Sequence, residues 1–150
     1  MIVRNMATAY LGLGSNLGNG KENLDKALQL IGEQIGPVLV VSAFIESEPW
    51  GFESKHRFTN AVCVVETDLT PLQLLDQSQS IERQLGRNHK HKPGEAYTDR
   101  IIDIDILTYD NLQYADDRLT LPHPLIEKRE FVLIPMEECR QKLINNIQNK

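Results

Sequence analysis

Hydrophobic positions along the chain change their period several times, and each change marks an element. Ala7 to Leu13 is a short apolar run with strand character. It leads into Gly12-Leu13-Gly14-Ser15-Asn16-Leu17-Gly18, where the glycines permit a tight connection. Leu24, Leu28, Ile31 and Ile35 then recur at helical spacing, with Asn19 and Glu22 placed as a capping box ahead of them and Gly36-Pro37 as the stop. Val38 to Ser47 and Phe58 to Glu66 return to a strand-like pattern. Thr70 and Gln73 form a second box around Pro71, predicting a helix that turns Leu74, Leu75, Ser78, Ile81 and Leu85 inward and ends at Gly86. A β-branched run follows at Ile101, Ile102, Ile104 and Ile106, read as a buried, central strand. Beyond it come a turn at Tyr109 to Leu112, a small hairpin from Gln113 to Leu121 and a terminal helix carrying Met136, Cys139, Leu143 and Ile147 inward. Strand, helix, strand, strand, helix, strand predicts an α+β fold: a ferredoxin-like antiparallel sheet with helices packed on one face, plus the hairpin and the C-terminal helix.

Composition narrows the partners more than the fold. The chain has 150 residues, enough for one domain with a real core. Its net charge of −5 and pI of about 5.4 exclude the basic surface expected of a general nucleic-acid or membrane binder, so a small-molecule partner is expected. Cys63 and Cys139 sit in apolar contexts without paired spacing, which suits a core role in a reducing compartment. The residues from Met1 to Met6 are too few and too polar for a signal peptide, and no apolar run approaches the roughly 20 residues of a membrane span, so a cytoplasmic protein is expected.

The chemistry concentrates around Asp103 and Asp105. Alternate residues of a strand share a face, so these two carboxylates point the same way, about 6.6 Å apart along the backbone. Like charges on a core strand repel and lose hydration, a cost relieved by a cation between them. Two Mg²⁺ ions would satisfy that demand and create a phosphate-handling site with no His or Cys ligand; a strand end where both aspartates meet solvent or arginines would also do. Just ahead lies the basic stretch Arg87 to Asp99, with Arg87, His89, Lys90, His91 and Lys92, which reads as a mobile lid over polyphosphate oxygens or as a solvated loop. Arg118, His123 and Arg129 add cations at spacings that fit no metal set. Asn60 shares a strand face with Phe58, Val62 and Val64 and is satisfied either by a neighbouring loop or by the edge of a ligand. Trp50 and Phe52 lie on a loop, where they could stack on a flat ligand or cap the core. Gln79 and Glu82 occupy a helix stripe next to the buried one, the place of a solvated face.

Several segments in this order resemble 6-hydroxymethyl-7,8-dihydropterin pyrophosphokinases of folate biosynthesis: Gly12 to Gly18, Glu48-Pro49-Trp50-Gly51, Phe58-Thr59-Asn60-Ala61, Ile81 to Arg87, Asp99 to Asp105 and Leu121-Pro122-His123-Pro124. The match runs from about Ala7 to Met136. The resemblance implies a single pyrophosphokinase domain over 1–150, ATP as co-substrate and two Mg²⁺ ions held by Asp103 and Asp105. It implies that Arg87, Lys90 and Arg100 act with the aspartates on the phosphates. Gln79, Glu82, Ile106, Arg118, Leu119, Thr120, His123 and Arg129 fall to the nucleotide, and Ser47, Glu48, Trp50, Phe58, Asn60, Tyr97 and Phe131 to the pterin. A monomer is expected. The chain departs from the family pattern at Ala96-Tyr97-Thr98-Asp99-Arg100, where a tyrosine replaces the usual tryptophan and one arginine is missing, and at His89 and Pro124, where an arginine and a tyrosine are common.

Two other classes fit parts of the pattern. A two-metal phosphodiesterase would use the same aspartates to activate water but needs a further base or further ligands, and none clusters in the sequence. A non-catalytic ferredoxin-like binding domain explains the sheet but neither the acid pair nor the basic stretch.

Overall fold

A computed structural model of the chain describes residues 6–47, 57–86 and 101–148. Strand β1 (Ala7–Ser15) leads through Asn19 into helix α1 (Gly20–Gln34), whose first turn is capped by the Asn19 side chain accepting from the Glu22 N–H. Strands β2 (Val38–Val41) and β3 (Ile45–Ser47) come next, then β4 (Phe58–Thr67) and helix α2 (Pro71–Gln84), which opens on a complete Thr70–Gln73 capping box. Strand β5 (Asp103–Tyr109) follows, then the two-residue strands β6 (Tyr114–Ala115) and β7 (Thr120–Leu121), a 3₁₀ turn at Ile126–Lys128 and helix α3 (Glu130–Gln148).

All strand pairs are antiparallel, and the main sheet runs β2-β4-β1-β5 with β3 also on β4; β6 and β7 pair with each other. The α+β architecture expected from the pattern is present, with four differences. The strand expected over Val38 to Ser47 is broken: Ser42 leaves the ladder, its backbone N–H donates to the Val62 carbonyl and its hydroxyl accepts from the Val62 N–H. Gly12 to Ser15 belong to β1 rather than to a turn. The strand bearing the two aspartates is not central, because among the described residues β5 pairs only with β1. Finally, the helices divide between the two faces of the sheet. Leu24, Ala27 and Ile31 of α1 and Leu74 and Ile81 of α2 pack with Ala9, Leu11, Leu13, Cys63, Ile104 and Ile106, whereas Val132 and Cys139 of α3 pack with Val40, Val62, Val64 and Leu107 on the opposite side. Met136 and Leu143 join that second cluster, but Ile147, expected to point inward, is 70% exposed because α3 runs past the sheet before its end.

Gly36 joins α1 to β2 with φ +158°, and a Cβ there would lie 1.9 Å from the Glu66 carbonyl oxygen, so only glycine lets the connection hug β4. Between Leu11 and Tyr10 the β1–β5 register slips by one residue at Leu107, a β-bulge. The Leu107 carbonyl accepts from the His123 N–H at 2.8 Å, tying the segment after β7 to the sheet.

Candidate active site

The site grows from two cross-strand rows. On β1, Gly14 stands between Asn60 of β4 and Asp103 of β5, and Gly12 stands between Val62 and Asp105. Opposed residues in a sheet share a face, so both aspartates, both glycines and Asn60 look to the same side, the one partly covered by α3. Neighbouring strands are about 4.8 Å apart, which separates Asn60 from the aspartate row by roughly 10 Å across a floor with no side chains. A cleft forms over that floor, with Phe58, Asn60, Asp103, Asp105 and Leu107 on the sheet side and His123, Arg129, Phe131 and Val132 opposite.

Each wall residue is held by a local cause. Asn60 is 5% exposed and its amide nitrogen donates to the Ser47 hydroxyl at 2.7 Å. That bond fixes the amide plane and turns Oδ1 toward Gly14, where an added Cβ would sit 3.2 Å from Oδ1 and 3.6 Å from the Phe58 ring. His123 is anchored through its backbone to the bulge, and its Nδ1 accepts from the Leu125 N–H at 3.2 Å. A neutral His123 therefore carries its proton on Nε2. The Arg129 guanidinium lies 5.7 Å from the centroid of the Phe131 ring, a cation–π contact that sets a positive charge beside an aromatic face.

The other residues singled out in the sequence divide clearly. Glu82 is not on a solvated face: it is 2% exposed, and its Oε2 accepts from the Ile104 N–H at 2.7 Å. Helical spacing places Glu82 beside Ile81, whose stripe is the one α2 buries, and β5 lies close enough to use the carboxylate. Gln79 is half-buried on the same helix. Ile106 and Leu119 sit in the core on the α1/α2 side, Thr120 is exposed on β7, and Arg118 pairs with Asp76 of α2. None of these six lines the cleft, and they gather instead around α2, β5 and the hairpin. Glu48, Trp50, Phe52, Arg87, Lys90, Tyr97 and Arg100, and the whole lid expected over Arg87 to Asp99, lie outside the described residues. Gly12 and Gly14 are the site residues that reading by motif missed. Their signal was a Gly-x-Gly with the same two-residue period as Asp-x-Asp, which marks one face of a strand rather than a turn. Among the described residues no group of three or more His, Cys, Asp or Glu side chains could hold a metal alone.

This constellation of an acid pair facing an amide and an aromatic wall across a glycine floor coincides with a family match. Residues 10–141 fit the model of the 7,8-dihydro-6-hydroxymethylpterin-pyrophosphokinase (HPPK) family. The chain belongs to this family. It is 46% identical over 136 residues to the 2-amino-4-hydroxy-6-hydroxymethyldihydropteridine pyrophosphokinase of Porphyromonas gingivalis, covering 89% of this chain and 90% of that one. To the protein of the same name from Haemophilus influenzae it is 41% identical, covering 93% and 85%. Among solved structures, wild-type Plasmodium falciparum HPPK-DHPS with SDX-DHP superposes with a TM-score of 0.68 at 16% identity over 87% of this chain. The HPPK chain described here spans 40% of that longer protein, and the likeness speaks to the fold.

Proposed function

We propose that the cleft over Gly12 and Gly14 is where this HPPK-family chain carries out its pyrophosphoryl transfer. The enzyme is an ATP-dependent diphosphotransferase of folate biosynthesis. The hydroxymethyl oxygen of 6-hydroxymethyl-7,8-dihydropterin attacks the β-phosphorus of ATP, the bond from that phosphorus to the α–β bridging oxygen breaks, and AMP leaves. The observation that carries the site assignment is the row Asn60–Gly14–Asp103. A flat pterin lying across Gly14 would meet Asn60 with its amide-like edge and bring its hydroxymethyl group to the aspartates, with Phe58 and Phe131 against the ring.

Asp103 and Asp105 fit a magnesium-phosphate site: half-buried, on one face, opposite glycines, and, among the described residues, short of the ligands that a closed metal cage would need. They would hold two Mg²⁺ ions jointly with the phosphate oxygens, and those ions would supply charge neutralisation at the transferring group. Arg129 and His123 Nε2 would add positive and donor groups from the opposite wall. The nucleotide is assigned to the β5 side, near Gln79, Ile106, Arg118, Leu119 and Thr120. Ser47 orients Asn60, and Glu48, Trp50, Arg87, Lys90, Tyr97 and Arg100 complete the set by resemblance. The reading makes residues 1–150 one catalytic domain, acting as a monomer in the cytoplasm. Incubation with ATP, Mg²⁺ and the reduced pterin should yield AMP and the pterin diphosphate in equal amounts, with no AMP when pterin is omitted. AMP or ADP formed without pterin would instead favour the phosphodiesterase.

A further inference from the structure

The outer edge of β5 holds a group that the transfer step does not itself require. Ile104 stands opposite Leu13 of β1, but its N–H bonds to Glu82 and so points away from β1, toward the outer side of the strand. An edge strand normally leaves such groups to water. Here Glu82, nearly sealed from solvent, reaches from the last turn of α2 and accepts that N–H at 2.7 Å. The bonded amide belongs to the residue between the two aspartates. The carboxylate therefore grips the strand at the midpoint of the acid pair, from the side opposite β1.

The surroundings make this grip rigid. Ile81, next to Glu82, is fully buried, as are Ile102 and Ile104 on either side of Asp103. Gly86, two residues past α2, would place a Cβ 3.2 Å from the Ile101 side chain, so the chain passes close to the start of β5 at a second point. Burying a carboxylate carries a desolvation cost, and an amide could accept the Ile104 N–H with less of it. The return comes if the position of that strand matters to a few tenths of an ångström, as it does for carboxylates sharing ions with a polyphosphate.

We infer that Glu82 is a positioning residue for the acidic strand: by holding the Ile104 N–H it sets where Asp103 and Asp105 stand relative to the cleft. This rests on the reading of Asp103 and Asp105 as metal-holding residues. It differs from a direct role of Glu82 at the nucleotide, because the atom that Glu82 is seen to hold is protein backbone.

Three variants, Glu82→Gln, Glu82→Leu and Asp103→Asn, would be compared in the full chain by titrating Mn²⁺ into the complex with a non-hydrolysable ATP analogue and following bound Mn²⁺ by electron paramagnetic resonance. Hydrogen exchange of the Ile104 amide would be measured alongside. Glu82→Gln keeps an acceptor and should hold Mn²⁺ affinity within about threefold, whereas Glu82→Leu should weaken it by about tenfold or more and speed Ile104 exchange. Affinity for the metal-free analogue should be the same in both. If Glu82→Leu leaves Mn²⁺ affinity unchanged while Asp103→Asn lowers it, Glu82 does not position the strand. A loss confined to the metal-free analogue would likewise overturn the inference and make Glu82 a nucleotide contact. If Asp103→Asn itself leaves Mn²⁺ affinity unchanged, it is the metal reading that fails. Should Glu82→Leu not fold, the glutamine variant still decides: a tenfold Mn²⁺ loss despite a retained Ile104 bond would show that charge, not positioning, is what Glu82 supplies.

Discussion

The two faces of the sheet are made by the same strands and differ in almost every other respect. On the α1/α2 side, Ala9, Leu11 and Leu13 of β1 meet Ile104 and Ile106 of β5 and are covered by two helices, with hardly any of that surface left to solvent. On the other side the same two strands show Gly12, Gly14, Asp103 and Asp105, and α3 lies mainly over β2 and β4, with Tyr10 of β1 and Leu107 of β5 joining its cluster. A closed face gains its stability from apolar area removed from water. The open face gives up that gain over two strands and keeps a floor on which a ligand can supply the missing packing. Activity and stability should thus respond to neighbouring positions of one strand in opposite ways.

The sharpest break of that contrast is at the acid pair. Asp103→Asn or Asp105→Asn should lower turnover about a thousandfold, since a charge leaves the phosphate site. Melting temperature should hold or rise because repulsion between the carboxylates is relieved. Wild-type turnover in both variants would remove the metal assignment. Leu11→Ala, on the closed face between Gly12 and Tyr10, should do the reverse and cost about 3 kcal/mol in denaturant unfolding while changing kcat less than about twofold where the protein is folded. A large kcat loss there would mean that the faces are mechanically coupled.

Filling the open floor is a smaller test. Gly14→Ala places a methyl group 3.2 Å from Asn60 Oδ1 and should weaken pterin binding about tenfold in calorimetric titration, with ATP binding unchanged and folding nearly so. Equal losses for both ligands would show that Gly14 serves the strand rather than the pterin. The least effect belongs to the two thiols, one on each side of the sheet. Burial pushes both Cys63 and Cys139 upward, Cys139 to about 11. The unfolded chain loses these protons near pH 8.5 to 9 while the native state keeps them, so stability is complete below that range and falls as pH rises through it. Denaturant unfolding at pH 10 against pH 8 should show a loss of about 1 kcal/mol for each thiol, absent from a Cys63→Ala, Cys139→Ala double variant.

Alternation alone, applied to Asp-Ile-Asp and to Phe58-Thr-Asn60, put the acids and the amide on the correct strand faces, and the capping pairs located both helix starts. The pattern was less informative where a residue's surroundings come from elsewhere in the chain. Glu82 has the spacing of a solvated position, and only the approach of β5 from twenty-two residues away converts it into a buried acceptor. The division of the strand at Ser42 depends on a serine hydroxyl standing in for backbone at Val62. Nothing local announces either event. Pattern also made β5 central because a β-branched run reads alike at the middle of a sheet and at an edge sealed by a helix side chain.

One extra residue in β5 settles a conflict of parity. Tyr109 faces the α1/α2 core and donates its hydroxyl to the Leu69 carbonyl, while Asp103 and Asp105, at the same odd spacing along the strand, must face the other way. No choice of side chains could satisfy both demands in an unbroken strand, since strict alternation would put all three on one side. The bulge at Leu107 resolves it by length rather than by chemistry, and its displaced carbonyl then carries His123 to the cleft. Deleting that single position would force the strand to keep either its anchor or its acids.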